Sequence, residues 1–137
     1  MRHSIILYSI LLLLDFSTKL LLYGKNISLF PFFSLTFTRN TGTLFGLFPR
    51  SNLLFICISA ALTGVLLYLY QTEKNYRLPL TLILAGATGN LLDRIFHGYV
   101  TDFIDFRIWP VFNIADICIV VGILLCILLA SRKTQTF

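Results

Sequence analysis

Charge is what this sequence has least of. Asp, Glu, Lys and Arg make up only 12% of its 137 residues, with 6 acids and 11 bases, against roughly 25% in a soluble domain. The bases are scattered, with no run of five or six, which argues against a nucleic-acid partner. Histidine is scarce, with only His3 and His97, so no Ser–His–Asp arrangement is visible. The three cysteines, Cys57, Cys118 and Cys126, all lie inside apolar segments and match no metal-ligand spacing. They are expected to be buried, inert thiols, and no metal or cofactor is expected.

Apolar surface is abundant instead. The chain is 57% hydrophobic, holds 13 Phe and 6 Tyr, and has a mean hydropathy of +0.85. Its length suits a single domain over residues 1–137. Four apolar segments stand out: Ser4–Tyr23, Asn52–Tyr70, Leu78–Phe96 and Ile114–Ala130. Each approaches the roughly 20 residues that cross a bilayer as a helix. The first has no small-residue cleavage site and carries Asp15 and Lys19, so it is expected to remain as a span and not be removed as a signal peptide.

The connections are unequal. Gln71–Arg77 is short and polar, whereas Gly24–Ser51 is long for a structureless loop. Within it, Phe33–Thr38 alternates apolar and polar residues, the periodicity of a strand. Asn40-Thr-Gly42 reads as a turn, and Thr43–Phe48 as a short helix on the membrane surface. Gly98–Phe106 also reads as a strand, with Val100, Asp102, Ile104 and Phe106 on one face and Tyr99, Thr101, Phe103 and Asp105 on the other. Four spans put both termini on one side. The positive-inside balance, Arg2, Lys74, Arg77, Arg132 and Lys133 against Lys25, Arg39, Arg50 and Arg107, is nearly even.

Four of the six acids, Asp93, Asp102, Asp105 and Asp116, fall between Gly86 and Asp116. Ionisable groups near membrane depth are costly and point to function. Asn113 can cap the fourth span, leaving Asp116 at the third helical position, where free N–H groups favour a carboxylate. Asp116 is then either a capping acid or a catalytic one. Asp102, alone among apolar neighbours, must be paired or protonated. Converging carboxylates raise one pKa and share a proton, so that one can activate water while the other polarises a peptide carbonyl. Asp15 and Lys19, four apart on one helix face, either tie the first helix to its neighbours or line a polar cavity. Gly86, Asn90, Asp93, Arg94 and His97 form a small and polar stripe on the third span.

Five blocks carry a resemblance: Asp15-Phe-Ser-Thr-Lys19, Asn40-Thr-Gly-Thr-Leu-Phe-Gly46, Gly86-Ala-Thr-Gly-Asn-Leu-Leu-Asp-Arg94, Gly98-Tyr-Val-Thr-Asp-Phe-Ile-Asp-Phe106 and Phe112-Asn-Ile-Ala-Asp116. In this order the chain resembles the lipoprotein signal peptidases (signal peptidase II), bacterial membrane aspartic proteases. The resemblance implies a catalytic dyad of Asp102 and Asp116. It implies that Asp15, Lys19, Asn40, Gly42, Asn90, Arg94 and Asn113 shape or support the site. It further implies an all-α membrane protein of four transmembrane helices with a small extracytoplasmic β-cradle and a short surface helix. The site would face the periplasm across the bacterial inner membrane. The expected substrates are prolipoproteins carrying a diacylglyceryl group on the lipobox cysteine, cleaved just before that cysteine. The inhibitor is expected to be of the globomycin type, and the chain is expected to act as a monomer among membrane lipids. Two rivals are a small four-span proton-coupled transporter using Asp15, and a non-enzymatic assembly factor. Neither accounts for a long outer loop together with Asp102 and a partner acid at a helix start.

Overall fold

The computed structural model describes residues 2–42 and 52–134, with side chains to residue 132. Four helices of 21 residues each dominate: α1 (Arg2–Leu22), α2 (Asn52–Thr72), α3 (Arg77–His97) and α4 (Ile114–Thr134). Three strands, β1 (Asn26–Phe30), β2 (Phe33–Asn40) and β3 (Val100–Asp105), form one antiparallel sheet in that order. The surface helix expected at Thr43–Phe48 lies outside the described residues.

Burial is inverted relative to a water-soluble bundle. The only buried residues of α1 are Asp15 and Lys19, and α2 has none. Leucines, isoleucines and valines cover the outside of α1, α2 and α4, and these three helices are long and apolar enough to cross a membrane. Lipid can solvate such a surface, while a charge must be sheltered inside. α3 is the least apolar helix and the most enclosed, packing against the other three. Gly86 lets α3 and α4 meet: a Cβ there would overlap the Ala115 carbonyl oxygen and lie 2.8 Å from Ile119. The helix ends at Gly98, whose φ of 80° is the left-handed conformation that glycine adopts at little cost.

The sheet caps one end of the bundle. β1 was not expected as a strand. It pairs with β2 through a turn at Pro31-Phe32 and has all five residues exposed. In the β2–β3 ladder, Leu35 pairs with Ile104 but Thr38 with Asp102, so one extra residue is accommodated on β2. A regular ladder would have set Phe37 and Arg39 on the Asp102 face; the bulge sets Thr38 and Asn40 there. Instead of a single buried face, β3 has Val100, Thr101, Asp102 and Phe103 all buried, because α1 and α3 also pack against it. After β3 the chain reverses at Arg107, which has φ 63° and donates its N–H to Asp105. Phe112 then pairs with Ile104 along the free edge of β3.

Candidate active site

The first turn of α4 sets up the site. The Asn113 Oδ1 accepts the Asp116 N–H at 2.9 Å, and the Asp116 carboxylate accepts the Asn113 N–H at 3.1 Å. This reciprocal cap fixes the Asp116 side chain over the helix start. A second free N–H, that of Ala115, is taken by Asp15 Oδ1 from α1 at 2.9 Å. The two acids nearest the start of α4 thus satisfy backbone donors that would otherwise be unpaired.

Asp102 lies one asparagine away and is 1% exposed. Asn113 Nδ2 donates to its Oδ1 at 2.6 Å, and Asn40 Nδ2 donates to its Oδ2 at 2.8 Å. Burial pushes the Asp102 carboxyl from its ordinary 3.8 up to about 6. The Asn40 hydrogen bond opposes this, the negative charge of Asp116 adds to it, and Asn113 and Lys19 oppose it more weakly. Asp105 does not join this group. It accepts from Ser34 Oγ and the Arg107 N–H, and the Arg107 bond in particular holds its carboxyl below the usual range.

Beneath the two acids, Lys19 spends its three donors on three acceptors: Asp15 at 2.7 Å, Asp93 at 3.1 Å and Asn90 Oδ1 at 3.2 Å. Asn90 passes the connection upward. Its Oδ1 also accepts from Asn113 Nδ2 at 3.1 Å, and its Nδ2 donates to Asp116 Oδ1 at 2.8 Å. Asp15, Lys19, Asn90, Asn113, Asp102, Asp116 and Asn40 therefore form one continuous hydrogen-bonded network. Gly42 stands at its edge. With φ 75° it donates its N–H to Asn40 Oδ1, which aims the Asn40 amide at Asp102. Arg94 shares a groove of about 510 Å3 with Asn40, Gly42, Asp102, Pro110 and Val111. Its guanidinium lies 5.7 Å from the centre of the Phe55 ring.

Asp93, one of the clustered acids and part of the polar stripe on α3, is also a network member, though it is not among the residues expected to support the site. Besides binding Lys19, it accepts the Thr101 N–H at 2.9 Å and so fastens β3 to α3. Its place three residues after Asn90, on the same helix face, was the available signal. Phe55 had no such signal in a charge-free span. Among the described residues no group of His, Cys, Asp and Glu is arranged to hold a metal ion.

Apolar outward faces around a buried polar network at the sheet end mark an integral membrane protein. The family model described as signal peptidase (SPase) II matches residues 7–132. The chain is 44% identical to the lipoprotein signal peptidase of Halothermothrix orenii over 128 residues, covering 87% of this chain and 88% of that one. It is 37% identical to the lipoprotein signal peptidase of Symbiobacterium thermophilum, covering 95% and 97%. A solved structure described as a bacterial membrane enzyme superposes with a TM-score of 0.89 at 28% identity, covering 99% of this chain and 92% of that one. The chain belongs to the signal peptidase II family, a family of membrane-embedded proteases.

Proposed function

We propose that this chain is an aspartic endopeptidase that removes signal peptides from diacylglyceryl-modified prolipoproteins, cleaving just before the lipidated cysteine. Asp102 and Asp116 are the catalytic pair. The observation that carries this reading is their joint attachment to Asn113, which holds two acids of different environment in one network. Asp116 accepts two N–H donors at a helix start, one from the Asn90 amide and one from the Asn113 backbone. Asp102 is buried and retains its proton to higher pH than an ordinary aspartic acid. In the proposed reaction the ionised acid takes a proton from water as the water attacks the scissile carbonyl. The protonated acid donates to the carbonyl oxygen to give a gem-diol. The first acid then passes its proton to the amine nitrogen as the C–N bond breaks, and the gem-diol returns a proton to the second acid as the new carboxyl group forms. Asn40, Asn90 and Asn113 hold the pair, Gly42 shapes the groove wall, and Arg94 offers a cation to the peptide. Asp15 and Lys19 support the start of α4 from below.

The same reading makes α3 a fourth span, shielded from lipid by its neighbours. Both termini and the turn at Lys74–Tyr76 lie in the cytoplasm, and the sheet forms a cradle at the periplasmic face of the inner membrane. The protein works as a monomer and binds globomycin-type inhibitors at the Asp102 groove. Asp15 is already engaged by Lys19 and Ala115, which suits a supporting role better than proton transport. The direct test uses purified protein in detergent and a lipobox peptide with and without its diacylglyceryl group. Cleavage before the cysteine of the lipidated peptide, inhibited by globomycin, is expected. Equal cleavage of the bare peptide, or none of either, would contradict the assignment.

A further inference from the structure

Two openings reach the carboxylate pair, and residues 109–112 separate them. Pro110 and Val111 face the groove that contains Asp102 and Arg94. Trp109 and Phe112 face the other way, onto a crevice of about 300 Å3 along α4 completed by Asp116, Ile117, Val120 and Val121. The partition is well anchored. Phe112 exchanges backbone hydrogen bonds with Ile104, and its ring lies 5.9 Å from that of Phe106. Asp102 is thus approached through a polar groove, and Asp116 through an apolar crevice.

The two chambers differ in what they can accept. The first offers Asn40, Thr38 and Arg94, partners for a peptide backbone. The second has Asp116 as its one ionisable side chain, so a peptide entering there would leave its backbone groups unpaired at high cost. An acyl chain needs no partners. The wall residues Ile117, Val120 and Val121 belong to the outward, apolar face of α4, so hydrocarbon can slide in from the bilayer without crossing a polar barrier. A substrate lipidated on the residue next to its scissile bond needs a peptide path and a hydrocarbon path that meet within one side chain's length. Here they meet at Asp102 and Asp116, with Asn113 between them.

We infer that the crevice between Trp109 and α4 is an acyl-chain subsite, which seats the first part of the substrate cysteine's diacylglyceryl chains beside Asp116, their remainder running along α4 into the bilayer, while the peptide occupies the Asp102 groove. This rests on the function proposed above and adds where the lipid is read. Trp109 is the roof of the subsite, and Val120 and Val121 are its floor.

Trp109 is the chain's only tryptophan and lines the crevice, so its fluorescence responds to what enters there, and the lipid control below separates that from quenching at its exposed face. The experiment uses the full chain carrying Asp102→Asn, which keeps the substrate intact. It is titrated in detergent with a lipobox peptide whose diacylglyceryl chains carry bromine, a contact quencher. The controls are the same peptide without lipid and brominated phosphatidylglycerol at equal concentration. Saturable quenching by the lipopeptide only is expected, with half-saturation raised about tenfold by Val120→Phe, which fills the crevice. In the otherwise wild-type enzyme, Val120→Phe should raise KM for the lipopeptide about tenfold with kcat within about twofold. Val65→Phe, on the outward face of α2, should change neither. Binding without quenching, equal quenching by brominated phosphatidylglycerol, or wild-type KM in Val120→Phe would each overturn the subsite. If the wild-type chain cleaves no lipopeptide, the proposed function fails, and the quenching still decides whether the crevice takes the acyl chains.

Discussion

Asn113 donates to Asp102 at 2.6 Å and accepts the backbone N–H of Asp116 at 2.9 Å. One side chain thereby ties a strand acid to a helix acid. Asn113→Asp tests this coupling, because Asp is as good a cap as Asn but has no amide hydrogens for Asp102 and Asn90. Turnover should drop on the order of a hundredfold while the protein still folds. Wild-type turnover in Asn113→Asp would show that the amide does not organise the pair.

Asp15 should matter for integrity more than for chemistry. It bonds Lys19 and caps Ala115 from inside the bundle. Removing one member of a buried ion pair costs about 3–5 kcal/mol. Asp15→Ala should therefore lower the melting temperature in detergent markedly and weaken substrate binding, with residual turnover in the folded fraction. A wild-type melt combined with complete loss of turnover would make Asp15 a catalytic group.

Two glycines on neighbouring helices should respond oppositely to alanine. At Gly86 a methyl group would run into the Ala115 carbonyl and push α4, with Asp116, away from α3; such overpacking costs about 1–3 kcal/mol. At Gly64 nothing lies within 4 Å, and Ala should be neutral or gain up to about 1 kcal/mol of helix stability. Thermal melts and turnover of both variants check the comparison. Gly86→Ala with wild-type stability and activity would contradict the close packing of α3 on α4.

The raised pKa of Asp102 has a consequence for stability. Unfolded, the group titrates near 3.8; folded, near 6. Its stability contribution is fully present below 3.8 and is lost as pH rises through 6, a change of about 3 kcal/mol over that window. Asp102→Asn removes this titration. Its lost acceptor for Asn40 or Asn113 costs the same at every pH, so the slope isolates the carboxylate. Between pH 4 and pH 7 the wild-type melting temperature should fall relative to that of Asp102→Asn. Parallel curves would mean that Asp102 titrates normally.

Much of this was legible in the sequence. The apolar runs marked all four helices to within a few residues at most ends; the signal is strongest in α1, α2 and α4, whose outer faces are apolar, and weakest in the enclosed α3. Alternation marked most of β2 and β3, and an Asn three residues before an Asp marked the cap of α4. β1 was missed although Ile27 and Leu29 alternate with Asn26 and Ser28; Pro31 follows at once and the strand is only five residues long. The bulge in β2 was not legible. Phe33–Thr38 reads as a regular strand, and only pairing with β3 reveals the extra residue that brings Asn40 to Asp102. Asp93 stood out as an acid on the α3 stripe but its partners did not, and Phe55 gave no sign at all, because their roles depend on Thr101, Lys19 and Arg94, which only the fold brings near.

The central claim is that Asp102 and Asp116 act together. Turnover of a diacylglyceryl lipobox peptide should be measured for wild type, Asp102→Asn, Asp116→Asn, the double variant and Asp105→Asn, with folding checked by melt. Each single change at the pair should lower kcat by about three orders of magnitude or more, and the double should be little worse than either single, because residues acting as one unit are non-additive. Asp105→Asn, engaged with Ser34 and Arg107 outside the network, should keep most activity. Near-normal cleavage by either Asp102→Asn or Asp116→Asn in folded protein would contradict the account.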